Sequence, residues 1–89
     1  MEPLTNSSET DLTAHLDRLH TTELGVGRIR KNLSLWDTDD VVDWCRKQIL
    51  DHGSHIERTG KNWYITTAGR CRITVNAYSY TIITAHKLK

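Results

Sequence analysis

The apolar period of this 89-residue chain changes once, at Gly53, and that change constrains its fold more than any other feature. Before it, hydrophobic residues recur every three or four positions, the spacing of one face of a helix. After it they alternate, the spacing of a half-buried strand. A helical half followed by a stranded half gives an α+β domain, with the helices gathered on one face of an antiparallel sheet.

Local signals divide the two halves further. Residues 1–8 are polar, hold the single proline and read as a flexible arm, leaving 9–89 as one domain. Ser8-Glu9-Thr10-Asp11 has the form of a capping box, and Leu12, Leu16 and Leu19 follow at helical spacing, which predicts a first helix over 10–20. Thr22 and Glu23 open a second, with Val26, Ile29 and Leu33 as its stripe; Gly25 and Gly27 weaken it and leave room for close approach of backbone or ligand. Asp37 or Thr38 is expected to cap a third helix. Val41, Trp44, Cys45 and Ile49 form its apolar face, Val42 and Leu50 widen it, and Gly53 stands at a left-handed position past its end. Residues 55–58, 62–67, 71–76 and 80–86 read as four strands, rich in Ile, Thr, Val, Tyr and Trp. Their short connections imply a meander.

Charge is as unevenly distributed as periodicity. Residues 1–57 carry six Lys/Arg against eleven Asp/Glu, net −5, whereas 58–89 carry six Lys/Arg and no acid. Such asymmetry suits an anionic partner. In the third strand Cys71, Ile73 and Val75 should meet the helices, while Arg70, Arg72, Thr74 and Asn76 face away. The parity of the last strand is undetermined, with Tyr80, Thr84 and His86 sharing the outward face in one of its two settings. Guanidinium groups bind phosphate bidentately, hydroxyls donate to its oxygens, and aromatics stack on unpaired bases, so this mixture fits RNA. A solvated sheet face would be polar in any case. Arg28, Arg30 and Lys31 make a second basic cluster, and Arg28, Arg58, Arg70, Arg72, Asn76 and Lys87 are the expected nucleic-acid contacts.

Five histidines supply groups that exchange protons near neutrality. His20, at the end of the first helix, and His86, at the end of the last strand, are the candidates for proton transfer. Lys61 and Arg72 would hold phosphate and Thr84 would position it. A converging pair of imidazoles would suffice for metal-free RNA cleavage, one taking the ribose 2′-hydroxyl proton and the other protonating the leaving oxygen. His52 and His55 lack a third metal ligand, and no motif calls for a metal or cofactor. Cys45 and Cys71 read as reduced core thiols rather than a disulfide framework, no window suits a membrane span, and a cytoplasmic location is expected.

Leu19-His20-Thr21-Thr22-Glu23-Leu24-Gly25, Val41-Val42-Asp43-Trp44-Cys45, Gly60-Lys61-Asn62-Trp63-Tyr64 and the run from Ile73 to Lys87 resemble a small bacterial family, domain of unknown function 3781, over roughly 12–87. More distantly, helices followed by a meander ending in Thr81-Ile82-Ile83-Thr84-Ala85 look like the ribonuclease fold shared by barnase, colicin-type and RelE-type toxins. That resemblance implies a small RNA-cleaving toxin, with His20, Lys61, Arg72 and Thr84 as corresponding positions; whether a cognate inhibitor or a target protein exists is open. The alternative is a non-catalytic module, of bacterial or phage origin, that docks on a protein through its charged faces. Oligomeric state is open.

Overall fold

In a computed structural model of the chain, residues 12–51, 53–68 and 70–88 are described. The arm, the capping box and His52 lie outside them.

The expected first helix is not continuous. Residues 12–14 are helical, His15 leaves helical geometry at φ −126°, and Leu16–Arg18 forms a single 3₁₀ turn. Leu19 is then extended, and His20 joins the sheet as an isolated parallel bridge to Thr81. Leu12, Leu16 and Leu19 are nonetheless all buried, so the spacing reported burial correctly and regularity incorrectly.

Helix α1 (Glu23–Leu33) starts at Thr22, whose hydroxyl accepts from the Gly25 amide at 3.0 Å. It ends at Ser34 in the left-handed conformation. Helix α2 (Val41–Leu50) is capped by Asp40, not by Asp37 or Thr38: the Asp40 carboxylate accepts from the Asp43 amide. Gly53 is not left-handed, since α2 runs into an extended Asp51 whose carboxylate binds the Gly53 amide. Val41, Cys45 and Ile49 are buried as expected, Trp44 is half-buried against the core, and Leu50 points to solvent.

Four strands follow, β1 (His55–Thr59), β2 (Asn62–Thr66), β3 (Cys71–Asn76) and β4 (Ile82–Lys87), in sheet order β1-β2-β3-β4 and all antiparallel. Gly60, at φ 62°, occupies the first position of the two-residue β1–β2 turn, where a β-carbon would be strained. The helices cover one face. Trp63, Ile65, Cys71, Ile73, Val75, Ile82 and Ala85 meet Leu12, Leu16, Ile29, Leu33, Val41, Cys45 and Ile49 in one core. Helix α1 runs beside β4; Asn32 within it donates Nδ2 to the Ala85 carbonyl at 3.2 Å, and Thr21, just before its cap, donates Oγ1 to the Ile82 carbonyl at 2.9 Å.

Both cysteines are free and buried. Burial, with a smaller contribution from Cys71, pushes the Cys45 thiol up to about 12. No described helix is long and apolar enough to cross a membrane.

Candidate functional site

The face of the sheet turned away from the helices is read from the register. Residues directly opposite in antiparallel strands share a face. His55 pairs with Thr66, Thr66 with Arg72, and Arg72 with His86, giving a row of four side chains across all four strands. The next row is Glu57, Tyr64, Thr74 and Thr84, and a shorter one joins Thr59, Asn62 and Asn76. Thr74, at the centre, is only 7% exposed, so the side chains around it close over the middle of this face.

A bulge settles the parity of β4. Thr74 opposes Thr84 and Val75 opposes Ile82, which leaves Ile83 without a partner in the register. Ile82 and Ala85 therefore both point into the core although they are three apart, and Thr84 and His86 both point outward. Tyr80 does not join them. It sits at φ 61° and is buried, its ring 5.3 Å from the Trp63 ring and beneath the Arg18 guanidinium, 4.6 Å from the centroid.

The basic side chains of the C-terminal third are not gathered on the open face. Arg58 pairs with Trp63 and so lies on the helix side, its guanidinium 5.7 Å from the ring centroids of both Trp63 and Tyr78. Lys61 lies in the β1–β2 turn, and Arg70, at φ 64°, in the β2–β3 turn at the opposite end of the sheet. Lys87 opposes Cys71 and so has core-side parity. Asn76 is taken up in the β3–β4 turn, where Oδ1 accepts from the Tyr78 and Ser79 amides at 2.9 and 3.0 Å. Arg28 is exposed on α1, and Arg30 binds the carbonyls of Leu35 and Thr38 in the loop that follows. The expectation of a broad basic sheet fails because only one of the six C-terminal cations, Arg72, falls on an outward position within a described strand.

What the structure does bring together is narrower. Arg72 and His86 are opposite neighbours, roughly 5 Å apart at the backbone by ordinary antiparallel spacing, and Thr84 stands two residues from His86 on the same side. Arg72 and His86 are exposed, and no hydrogen bond or ion pair among the described residues engages either side chain. His55, Glu57, Tyr64 and Thr66 complete the surface. None of these four stands among the expected site residues, because their side of the sheet depends on the β1–β2 and β2–β3 register. The register, unlike the composition, assigns them to this face. Glu57 is the only carboxylate among the described residues of the sheet strands.

His20 and His86 do not converge. His20 sits beside Thr81 at the start of β4, and five residues of strand, roughly 16 Å at the usual rise, separate Thr81 from His86. At its own corner the His20 imidazole joins a chain of polar groups. Nδ1 lies 2.9 Å from the Arg18 carbonyl and Nε2 lies 3.0 Å from Thr81 Oγ1. Thr81 Oγ1 in turn lies 2.7 Å from Ser79 Oγ. On the helical half, Asp43 is bound by Lys47 at 3.2 Å and Arg46 at 3.1 Å, and the Lys47 hydrogen bond leads the causes holding its carboxyl below the ordinary range.

A family model described as protein of unknown function (DUF3781) matches residues 13–86, nearly the whole chain. The chain belongs to that family. No curated protein and no solved structure matches it. The DUF3781 match takes in α1, α2, β1, β2, β3 and nearly all of β4, so every residue of the open-face rows lies within the family's domain.

Proposed function

We propose that the open face of the sheet binds RNA and cleaves it without a metal, with Arg72 and His86 holding one phosphodiester. The observation that carries this is the register pairing of those two residues, both exposed and disengaged, with Thr84 beside them. A guanidinium presents a planar fork of donors that matches two phosphate oxygens. Thr84 adds a hydroxyl donor, and Tyr64, in the neighbouring row, offers an aromatic surface for an unpaired base. His86 then stands next to the bound phosphate as the proton-transfer group, and Arg72 stabilises the charge that accumulates on phosphorus oxygens in the transition state. His55, at the far end of the same row, is three strand spacings or roughly 14 Å from His86, too far to act on the same phosphodiester, so among the described residues His86 is the one imidazole of the site. His20 and Lys61 have no part in this site.

With one guanidinium on the face, affinity derives from few phosphate contacts. Single-strand binding should lose about 0.7 log units per log unit of salt for each phosphate neutralised, so the slope should be shallow. The experiment is incubation of the purified protein with end-labelled single-stranded RNA. Wild type is expected to yield fragments with cyclic phosphate ends; His86→Ala should slow cleavage on the order of a hundredfold or more while still binding. Arg72→Ala should weaken both. No cleavage by wild type removes the catalytic half of the proposal, and no binding removes the whole.

A second reading rests on a different surface. Leu24, Trp36 and Leu50 are large apolar side chains 79%, 65% and 59% exposed on the helical half. A module that docks on another protein would use such groups, and would be indifferent to His86→Ala.

A further inference from the structure

The corner formed by His20, Thr81 and Ser79 is not used by the open-face site, and it has the geometry of an activated hydroxyl. A nucleophile is recognised by a base within hydrogen-bond reach and a third group that orients the base. Here the base is His20, whose Nε2 is 3.0 Å from Thr81 Oγ1, and the third group is the Arg18 carbonyl, 2.9 Å from Nδ1. A carbonyl oxygen only accepts, so Nδ1 carries the proton. In the neutral ring Nε2 is then the acceptor, and the Thr81 hydroxyl must donate to it. The single Ser79 hydroxyl proton has two acceptors within reach, Asn76 Oδ1 at 3.2 Å and Thr81 Oγ1 at 2.7 Å; with the Thr81 proton committed to His20, it goes to the shorter contact, Thr81 Oγ1.

Thr81 therefore points its proton at a base. His20 is exposed and Thr81 half-exposed, so the pair is reachable from solvent. The side-chain bonds are not needed to close the strand edge. His20 N–H to the Tyr80 carbonyl and Ile82 N–H to the His20 carbonyl already do so, at 3.1 and 2.7 Å. Among the described residues, the hydrogen-bonded partners at the corner are hydroxyls, one amide oxygen and backbone; the Arg18 guanidinium lies over the Tyr80 ring instead. A corner without a bonded cation suits a neutral electrophile better than a phosphoryl group, whose oxygens need positive charge.

We propose that Thr81 is a nucleophile activated by His20 and accepts acyl groups from neutral carboxylic esters. Thr81 Oγ1 bonds to the carbonyl carbon as its proton passes to His20 Nε2. The Ser79 hydroxyl, released from Thr81, is free to turn to the developing oxyanion. Collapse of the adduct breaks the bond to the leaving oxygen, which takes the proton from Nε2, and leaves Thr81 as an ester.

The test is exposure of the whole protein to p-nitrophenyl acetate at neutral pH, with nitrophenolate release followed by absorbance and acetylated positions mapped by peptide mass spectrometry. Acetylation of Thr81 is expected to outpace that of Thr66 and Thr84, which have no hydrogen-bonded imidazole among the described residues. His20→Asn should slow labelling of Thr81 on the order of a hundredfold, while Thr81→Ser keeps the site reactive. Lysine labelling serves as an internal control, and circular dichroism confirms that each variant is folded. Arg72→Ala should leave Thr81 labelling unchanged, which separates this corner from the RNA site. Wild type unlabelled at Thr81, labelling no faster there than at Thr66 or Thr84, or equal rates in folded His20→Asn would each overturn the assignment.

Discussion

The ring of Tyr80 lies 5.3 Å from that of Trp63, reached from a left-handed backbone at φ 61°. A tyrosine accepts that strained geometry here because its ring fills the core between the sheet and the first turn, with His15 edge-on at 6.1 Å. The turn that places Tyr80 inward is followed by the bulge at Ile83, and the two together set which side chains of β4 reach the open face.

Tyr80→Ala should therefore destabilise by about 3–5 kcal/mol, the usual cost of deleting a buried aromatic ring, since alanine keeps the strained backbone and loses the packing. Urea denaturation followed by Trp fluorescence measures this directly. A loss under about 1 kcal/mol would mean the ring is not part of the core.

The two glycines of α1 should respond in opposite ways to alanine. At Gly27 a β-carbon meets nothing within 4 Å, so Gly27→Ala is expected to stabilise by about 0.5–1 kcal/mol through helix propensity alone. At Gly25 the same carbon would collide with Thr21 Oγ1, which donates to the Ile82 carbonyl. Gly25→Ala should lower the melting temperature while Gly27→Ala raises it. The sequence suggests close approach of backbone or ligand at Gly25, and what stands there is a neighbouring side-chain hydroxyl.

That case shows where the sequence was legible. Periodicity located α1, α2 and the four strands, and it identified Ile29, Leu33, Cys45, Ile49 and Ile73 as core, because burial imposes a period on apolar residues wherever the backbone is regular. It failed where regularity fails. Leu16 and Leu19 keep helical spacing through a 3₁₀ turn and an extended residue, and the bulge at Ile83 shifts parity within β4 in a way that alternation alone does not register. The charge asymmetry was real but misleading. Arg58 and Lys87 take core-side parity and Lys61 and Arg70 sit in turns, so a count of cations said little about where they point. Alternation assigns Arg72 an outward position because β3 is regular, whereas the outward placement of Thr84 and His86 comes from the bulge in β4 and not from alternation.

Cys45 offers a check on the buried layer. Its thiol is raised by burial to about 12, from an ordinary value of 9.0, so the folded protein holds that proton where the unfolded chain would release it. The associated stability is fully present below pH 9.0 and is lost progressively as pH climbs toward about 12. Native protein at pH 8 should resist iodoacetamide at Cys45 and become labelled on addition of denaturant. Rapid labelling of Cys45 in the native state would contradict its placement in the core.

Amide chemical-shift mapping during titration with a short single-stranded RNA tests most directly whether a nucleic acid sits on the open face. The expected result is a set of perturbed residues centred on Thr66, Arg72, Thr84 and His86, spreading to Tyr64 and His55, with α1 and α2 unchanged. Perturbations confined to the helical side around Leu24, Trp36 and Leu50, or none at all, would contradict it.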